Sequence, residues 1–337
     1  MASLKDVLRR TYENLQILQQ REAKSGGAAS LELLNQIADH RQAIDLLEAA
    51  IAAAVTGPAL DDLREKLRPL LIASNVNQLN LDELAAEKPR LPFEPETVPI
   101  PAGPFWLGRD DADPLEAPRH PVELRAFRIG KYPVTNAEYA VFIKQNPRQP
   151  APSKAGWFVR QPPPDKLDHP VVGVNWREAV DYCRWLSEQS GRRYRLPTEA
   201  EWEKAAAWDG AQSRRYPWGD EFAPECCNAA SSGVGGTSPV GRYSPGGDSF
   251  FGGADLAGNV QEWTNTLWGI DLLQPDYPYP YRADDGRENS IEMLSRDFRI
   301  YRGGSYRDVP ERLRTSARGQ SDADSRLRWR GFRVVEE

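Results

Sequence analysis

Apolar residues recur at helical spacing through the first part of the chain and then lose that period. Leu4, Leu8, Leu15 and Leu18 share one helical face, with Ser3 and Asp6 forming a capping-box-like start, so 4–21 is expected to be helical. A glycine-containing break at 24–29 precedes a longer helix over 30–54, whose Leu34, Ile37, Ile44, Leu47 and Ile51 line one broad face. Thr56-Gly57-Pro58 ends it, because glycine relaxes the C-cap and proline cannot continue the ladder. A third helix over 59–71 and a short fourth over 75–84 complete a small bundle within 1–87. No polar cluster recurs there, which points to a structural or dimerising cap, or to a module that docks a protein partner.

The prolines of 88–101 (KPRLPFEPETVPIP) read as an extended connector, with 88–96 as linker and 97–337 as a second domain. After it, 98–108 reads as short strands around a tight turn, 110–116 as an acidic loop and 122–132 as a strand pair. Thr135-Asn136-Ala137-Glu138 is a capping box that opens a helix through Tyr139, Phe142 and Ile143. A second helix is expected over 174–190, with Cys183, Trp185 and Leu186 in the core. A third starts where Thr198 caps, Glu201 stands three residues on and Trp202 packs inward. From 216 onward the text is turns with short strands, the two most strand-like blocks being 260–268 and 298–306. The final stretch, 301–335, opens on Gly303-Gly304 and closes on Gly331-Phe332-Arg333-Val334, with many arginines, scattered aromatics and almost no apolar period between. It reads as an irregular surface pinned by a core.

Composition narrows the functional classes. A net charge of −6 and a pI near 5.4 disfavour a general nucleic-acid binder. The apolar stretch 46–55 is too short to span a bilayer. The start MASLKDVLRRTYENL lacks the parts of a secretory signal, so the expected location is cytoplasmic. Three cysteines, Cys183, Cys226 and Cys227, make neither a disulfide framework nor a paired zinc motif. Three histidines, His40, His120 and His169, give little material for a histidine metal centre, and His120 and His169 stand beside prolines as local structural hydrogen-bond formers. Ten tryptophans, 28 prolines and 26 glycines indicate a loop-rich fold.

The ordered blocks IPAGPFWLG, FRIGKYPVTNAEYAVF, HPVVGVNWREAVDYCRWL, RLPTEAEWEKAA, YPWGD, DLAGNVQEW, YRGGSY and GFRVV resemble the formylglycine-generating-enzyme (sulfatase-modifying factor) domain, a variant of the C-type-lectin fold. The resemblance covers about 97–336. It implies an α+β, C-type-lectin-like domain after the N-terminal helical bundle, with two helices against small antiparallel sheets and tryptophan-filled loops. Oxidases of that family carry a cysteine pair just after GGS that holds copper, and soft Cu(I) requires thiolates. Here GGSY is followed by Arg307, Asp308, Val309, Pro310, Glu311, Arg312 and Leu313, with no cysteine. The family's iron-dependent sulfoxide synthases use a histidine-rich site from an added helical domain, and the bundle here offers only His40. These residues lead to the expectation of a protein that is not an enzyme and requires no cofactor.

The resemblance extends to the variable proteins of diversity-generating retroelements, which display a diversified final stretch on this scaffold. On that reading the ligand-binding candidates are Tyr306, Arg307, Asp308, Arg312, Arg314, Ser321, Asp322, Arg326, Leu327, Arg328 and Trp329. Arginine forks and tyrosine or tryptophan faces suit a macromolecular partner, a protein or acidic target rather than nucleic acid or membrane. Arg302, Arg318, Arg330 and Arg333 are expected in the scaffold instead. The alternatives are an effector-coupled regulatory module of the same fold, or a formylglycine-generating-type oxidase relative. The family's structural calcium would fall on Asp255, Gly258, Val260 and Glu262, through two carboxylates and two carbonyls, a ligand set that suits a hard cation. The competing role for Glu262 is a buried partner for a scaffold arginine.

Overall fold

A computed structural model describes residues 4–25, 29–53, 55, 58–72, 90–152, 155–288 and 297–337. The chain divides into two compact units, Met1–Arg90 and Leu91–Glu337. The expected helix at 75–84 and the Ser3 cap lie outside the described residues.

The first unit holds α1 (Leu4–Lys24), α2 (Leu31–Ala52) and α3 (Pro58–Ile72). Ser30 caps α2 by accepting the Leu33 N–H, and Pro58 opens α3, where its missing N–H costs nothing. Leu60, Leu63, Leu67 and Leu71 repeat at three- and four-residue steps, so α3 turns one leucine face inward. That face meets Leu4 and Val7 of α1 and Leu47 and Ala50 of α2 in one apolar cluster. Each fully buried leucine there stabilises the bundle by roughly 1.5–3 kcal/mol.

Among the described residues, the second unit is built on three small sheets and three α-helices. β1 (Thr97–Ile100), β4 (Phe127–Gly130), β10 (Val335–Glu336) and β5 (Tyr194–Arg195) form one sheet in the order β1-β4-β10-β5. β2 (Gly103–Leu107) and β3 (His120–Leu124) form a hairpin. β8 (Gly319–Asp322), β7 (Phe298–Arg302), β6 (Gln261–Gly269) and β9 (Arg330–Phe332) form the third sheet in that order, with β6 and β9 parallel. Part of the proline-rich connector is therefore strand: Pro99 sits on β1, an edge strand that tolerates a residue without an N–H.

The helices are α4 (Asn136–Gln145), α5 (Trp176–Ser190) and α6 (Glu199–Ala207). Thr135 and Thr198 close complete capping boxes with Glu138 and Glu201, as their spacing predicts. α5 begins two residues later than its apolar text suggests. Asn175 takes the Glu178 N–H while the Glu178 carboxylate receives the Asn175 N–H, which leaves Val174 outside the helix. The core between α4 and α5 is aromatic: Tyr139 stacks on Tyr182 at 5.6 Å, and Phe332 of β9 meets Tyr182 edge-on at 5.4 Å.

The final stretch is less of a surface than its pattern indicates. It contributes β8, β9 and β10, and Leu313 and Thr315–Gly319 in its middle are buried. Thr315 and Ser316 are accommodated by hydrogen bonds to Arg214 O and the Glu116 carboxylate, so no apolar period marks them. The deepest tie is Arg333, fully buried, whose guanidinium is bidentate on the equally buried Glu262 at 2.6 and 2.7 Å. It also donates to Gly130 O, Lys131 O and Ala254 O. We expect Glu262→Ala to cost roughly 3–5 kcal/mol in urea denaturation, because it strands a buried cation. Arg184→Ala removes an exposed pair with Asp181 and is expected to cost less than about 1 kcal/mol.

Candidate functional site

β7 ends at Arg302, and the chain turns through Gly303 and Gly304 at φ 88° and 64°. A side chain at Gly304 would meet Leu313 Cδ2 at 2.6 Å and Arg312 O at 2.7 Å, so both conformation and space require glycine. The next turn is held by Asp308, whose Oδ2 accepts the Ser305 N–H and Ser305 Oγ–H, each at 2.8 Å, and Gln261 Nε2 at 3.2 Å. A 3-10 turn, Pro310–Arg312, follows. These turns form one side of a cleft of about 350 Å³, whose lining includes Gln261, Asp308, Arg312, Arg318 and Gln320, and Asp113 from the acidic loop.

Several arginines near the cleft are spent on the fold. Arg318 is bidentate on buried Glu199 at 2.9 Å and lies over Tyr279 at 4.0 Å. Arg302 pairs with buried Glu203 and donates to Thr315 O. Arg330 is register partner to Gln261 and donates to its Oε1 at 2.8 Å. It lies between Tyr301 and Trp263, 4.0 and 4.6 Å from their ring centres. No carboxylate among the described residues comes within ion-pair distance of Arg330, and burial lowers its pKa to about 10, so it stays charged at neutral pH.

The eleven candidates separate into two groups. Arg314 is tied to buried Glu116 at 2.6 Å and Arg326 to Glu178 of the α5 cap at 2.8 Å. Ser321 pairs with Arg299 across β8 and β7, Asp322 caps its own turn through the Asp324 N–H, and Leu327 O accepts the Gly173 N–H. Tyr306 is half-buried, with its N–H on Asn259 O. By contrast, Arg307, Arg312 and Arg328 are exposed, and their guanidinium groups make no hydrogen bond or ion pair among the described residues. Arg307 lies over Trp329 at 4.1 Å, which brings the two ends of the stretch together beside Asp308. The other cleft residues carry little signal in the sequence: Gln261 looks like ordinary scaffold in DLAGNVQEW, and Asp113 and Gln320 come from other segments.

The calcium set does not fit a cation. Both Glu262 oxygens are engaged by Arg333, and one also accepts Trp202 Nε1 at 2.8 Å. Asp255 accepts the Gly241 N–H at 2.6 Å, and burial raises its pKa to about 6. Among the described residues no three His, Cys, Asp or Glu side chains converge as metal ligands. The cysteines stand away from the cleft lining: Cys183 is in the α4–α5 core, where burial pushes its thiol up, and Cys227 is buried with Tyr216 and Leu313. Copper held by thiolates beside the GGS turn therefore has no ligands there.

The sulfatase-modifying factor enzyme 1-like domain model matches residues 82–337. The chain belongs to that family. A formylglycine-generating enzyme of Thermomonospora curvata is 31% identical over 297 residues, covering 71% of this chain and 93% of that protein. A hercynine oxygenase of Mycolicibacterium thermoresistibile is 36% identical over 274 residues, covering 69% of this chain and 56% of the oxygenase. Among solved structures, Treponema denticola variable protein 1 aligns with a TM-score of 0.54 at 22% identity, covering 71% of this chain and 94% of that one. The α+β, C-type-lectin-like fold expected for this family member stands. The expectation that the chain is not an enzyme is overturned, because the curated relatives at 31% and 36% identity are named as enzymes. The missing thiolates argue against one metal site and do not remove the chain from an enzymatic family. No helix among the described residues is long and apolar enough to cross a membrane.

Beside Tyr279 and Tyr281, His120 supplies a pH-dependent contact. Its Nε2 accepts the Tyr281 N–H at 2.7 Å, so Nδ1 carries the proton toward Pro118 O. Burial lowers its pKa below the ordinary 6.5; Arg287 and Arg318 act in the same direction, and Glu199 and the Pro118 carbonyl oppose. The unfolded chain then binds a proton first, so this contribution is complete above pH 6.5 and is lost as pH falls below it. His120→Asn is expected to flatten the pH dependence of the unfolding midpoint as pH falls below about 6.5, whatever its overall cost.

Proposed function

We propose that this domain acts on or through an acidic polypeptide segment seated in the cleft beside Gly303-Gly304. The observation that carries the reading is the division of labour among the arginines. Arg302, Arg314, Arg318, Arg326 and Arg333 each have a carboxylate partner within the fold. Arg307, Arg312 and Arg328 have none among the described residues and face solvent, although the chain as a whole is acidic. Three arginines without a carboxylate partner on an acidic protein, one of them, Arg312, lining the cleft, make a local positive field that draws carboxylates. Trp329 under Arg307 adds apolar contact area of the kind that concentrates binding energy.

The exposed positions lie between buried anchors, which also favours a display role like that of variable proteins on the same fold. That finer reading is tested by sequencing the gene across isolates, where variation confined to the exposed codons of 306–329 supports it and a uniform segment opposes it.

The binding reading is tested by titrating a glutamate-rich peptide, a lysine-rich peptide and a single-stranded oligonucleotide into the full chain. The glutamate-rich peptide is expected to bind best. Replacing Arg307, Arg312 and Arg328 together by glutamine is expected to weaken it by at least about tenfold, with the thermal midpoint little changed. Equal affinity of wild type and variant, or preference for the oligonucleotide, rejects the proposal.

A further inference from the structure

The Asp308 carboxylate is used on one side only. All three of its donors, the Ser305 N–H, Ser305 Oγ–H and Gln261 Nε2, converge on Oδ2. Oδ1 accepts nothing among the described residues and is not among the buried atoms left without a partner, so it is accessible on a residue that lines the cleft. The Oδ2 bonds fix the rotamer, so Oδ1 is a positioned negative charge rather than a wandering one. Behind it, Gln261 turns its Oε1 to the buried Arg330 guanidinium, which orients the amide to donate to Asp308. Arg312 lines the same cleft with an unpaired guanidinium, one 3-10 turn along the chain.

From this pairing we infer that the cleft recognises a primary ammonium next to a carboxylate, the ammonium on Asp308 Oδ1 and the carboxylate on Arg312. The inference rests on the acidic-segment reading and narrows it: the segment carries either a lysine side chain or a free amino terminus beside its acidic residues. A turn-holding role alone would be met by Oδ2 and gives no reason for a carboxylate whose second oxygen stays accessible on a cleft-lining residue. The charge-assisted contact also discriminates, because a neutral amide in place of the ammonium loses the ionic part of the bond.

Glutamate-rich peptides in four forms test this on the full chain: unmodified, acetylated at the amino terminus, acetylated at a single internal lysine, and acetylated at both. The wild type is expected to bind the preferred free-ammonium form about tenfold more tightly than the doubly acetylated one. The singly acetylated forms show which ammonium is used. Asp308→Asn keeps an oxygen for Ser305 and is expected to erase the difference while still binding the doubly acetylated peptide through Arg312. Ser305→Ala loosens the same turn without altering the charge and is expected to keep the preference, which separates recognition from a structural role. Acetylation without effect on the wild type, or a preference that survives in Asp308→Asn, overturns the inference and leaves the acidic-segment reading standing. If no acidic peptide binds in any form, both are overturned.

Discussion

The second unit depends on one ion pair that no water reaches. Glu262 on β6 and Arg333 just after β9 are both fully buried. The arginine uses its whole fork, bonding the carboxylate and three main-chain carbonyls from 130, 131 and 254. Trp202 of α6 reaches the same carboxylate. One side-chain pair thus joins two sheets, a helix and a loop. An isolated buried charge carries a large desolvation penalty, and only this degree of hydrogen bonding offsets it. The pair also fixes the place of Gln261 and Arg330, neighbours of the joined segments, and through them the cleft carboxylate of Asp308.

The same logic, burial by pairing rather than by hydrocarbon, holds for Arg302 and Arg318, which line the cleft, and for Arg314. Glu199 takes Arg318, Glu203 takes Arg302, and Glu116 takes Arg314 and Ser316. Tyr279 and Trp268 lie against the Arg318 guanidinium, so its flat faces are covered while its edges are bonded. A core made this way is specific in its geometry, because every member must meet a partner in one orientation. It suits a fold with few regular elements, where the packing of long helices cannot supply that precision.

How far the sequence can be read follows from this chemistry. Helix starts marked by Thr135 and Thr198 are legible because a capping box is local in sequence. Asn175 is harder to see, since apolar text runs through it, although Glu178 stands three residues on. The scaffold roles of Arg302, Arg318 and Arg333 can be told from their surroundings in the strongest family blocks. Arg314 and Arg326 cannot be told from Arg312 and Arg328, because their partners, Glu116 and Glu178, lie about two hundred and one hundred and fifty residues away. Glu262 is open to two readings in the sequence, and the distant Arg333 decides for one. Nothing in the text near Gly303 shows that Asp113 and Gln320 come to line the same cleft. The lack of cysteine after Gly304 is plain in the sequence, but it removes the ligands of one metal site only. An expectation of no catalysis at all reaches further than that absence can carry.

Arg302 and Arg333 bracket the final stretch, each locked inside by its own acid. The outward-facing letters between them, Arg307, Arg312 and Arg328, touch neither lock. Their replacement should therefore sit near the usual surface range of about half a kcal/mol in stability. The residues that hold the fold and those that face solvent are consequently under separate control. A lineage can rewrite that outward face residue by residue without renegotiating its architecture, while the frame holds still.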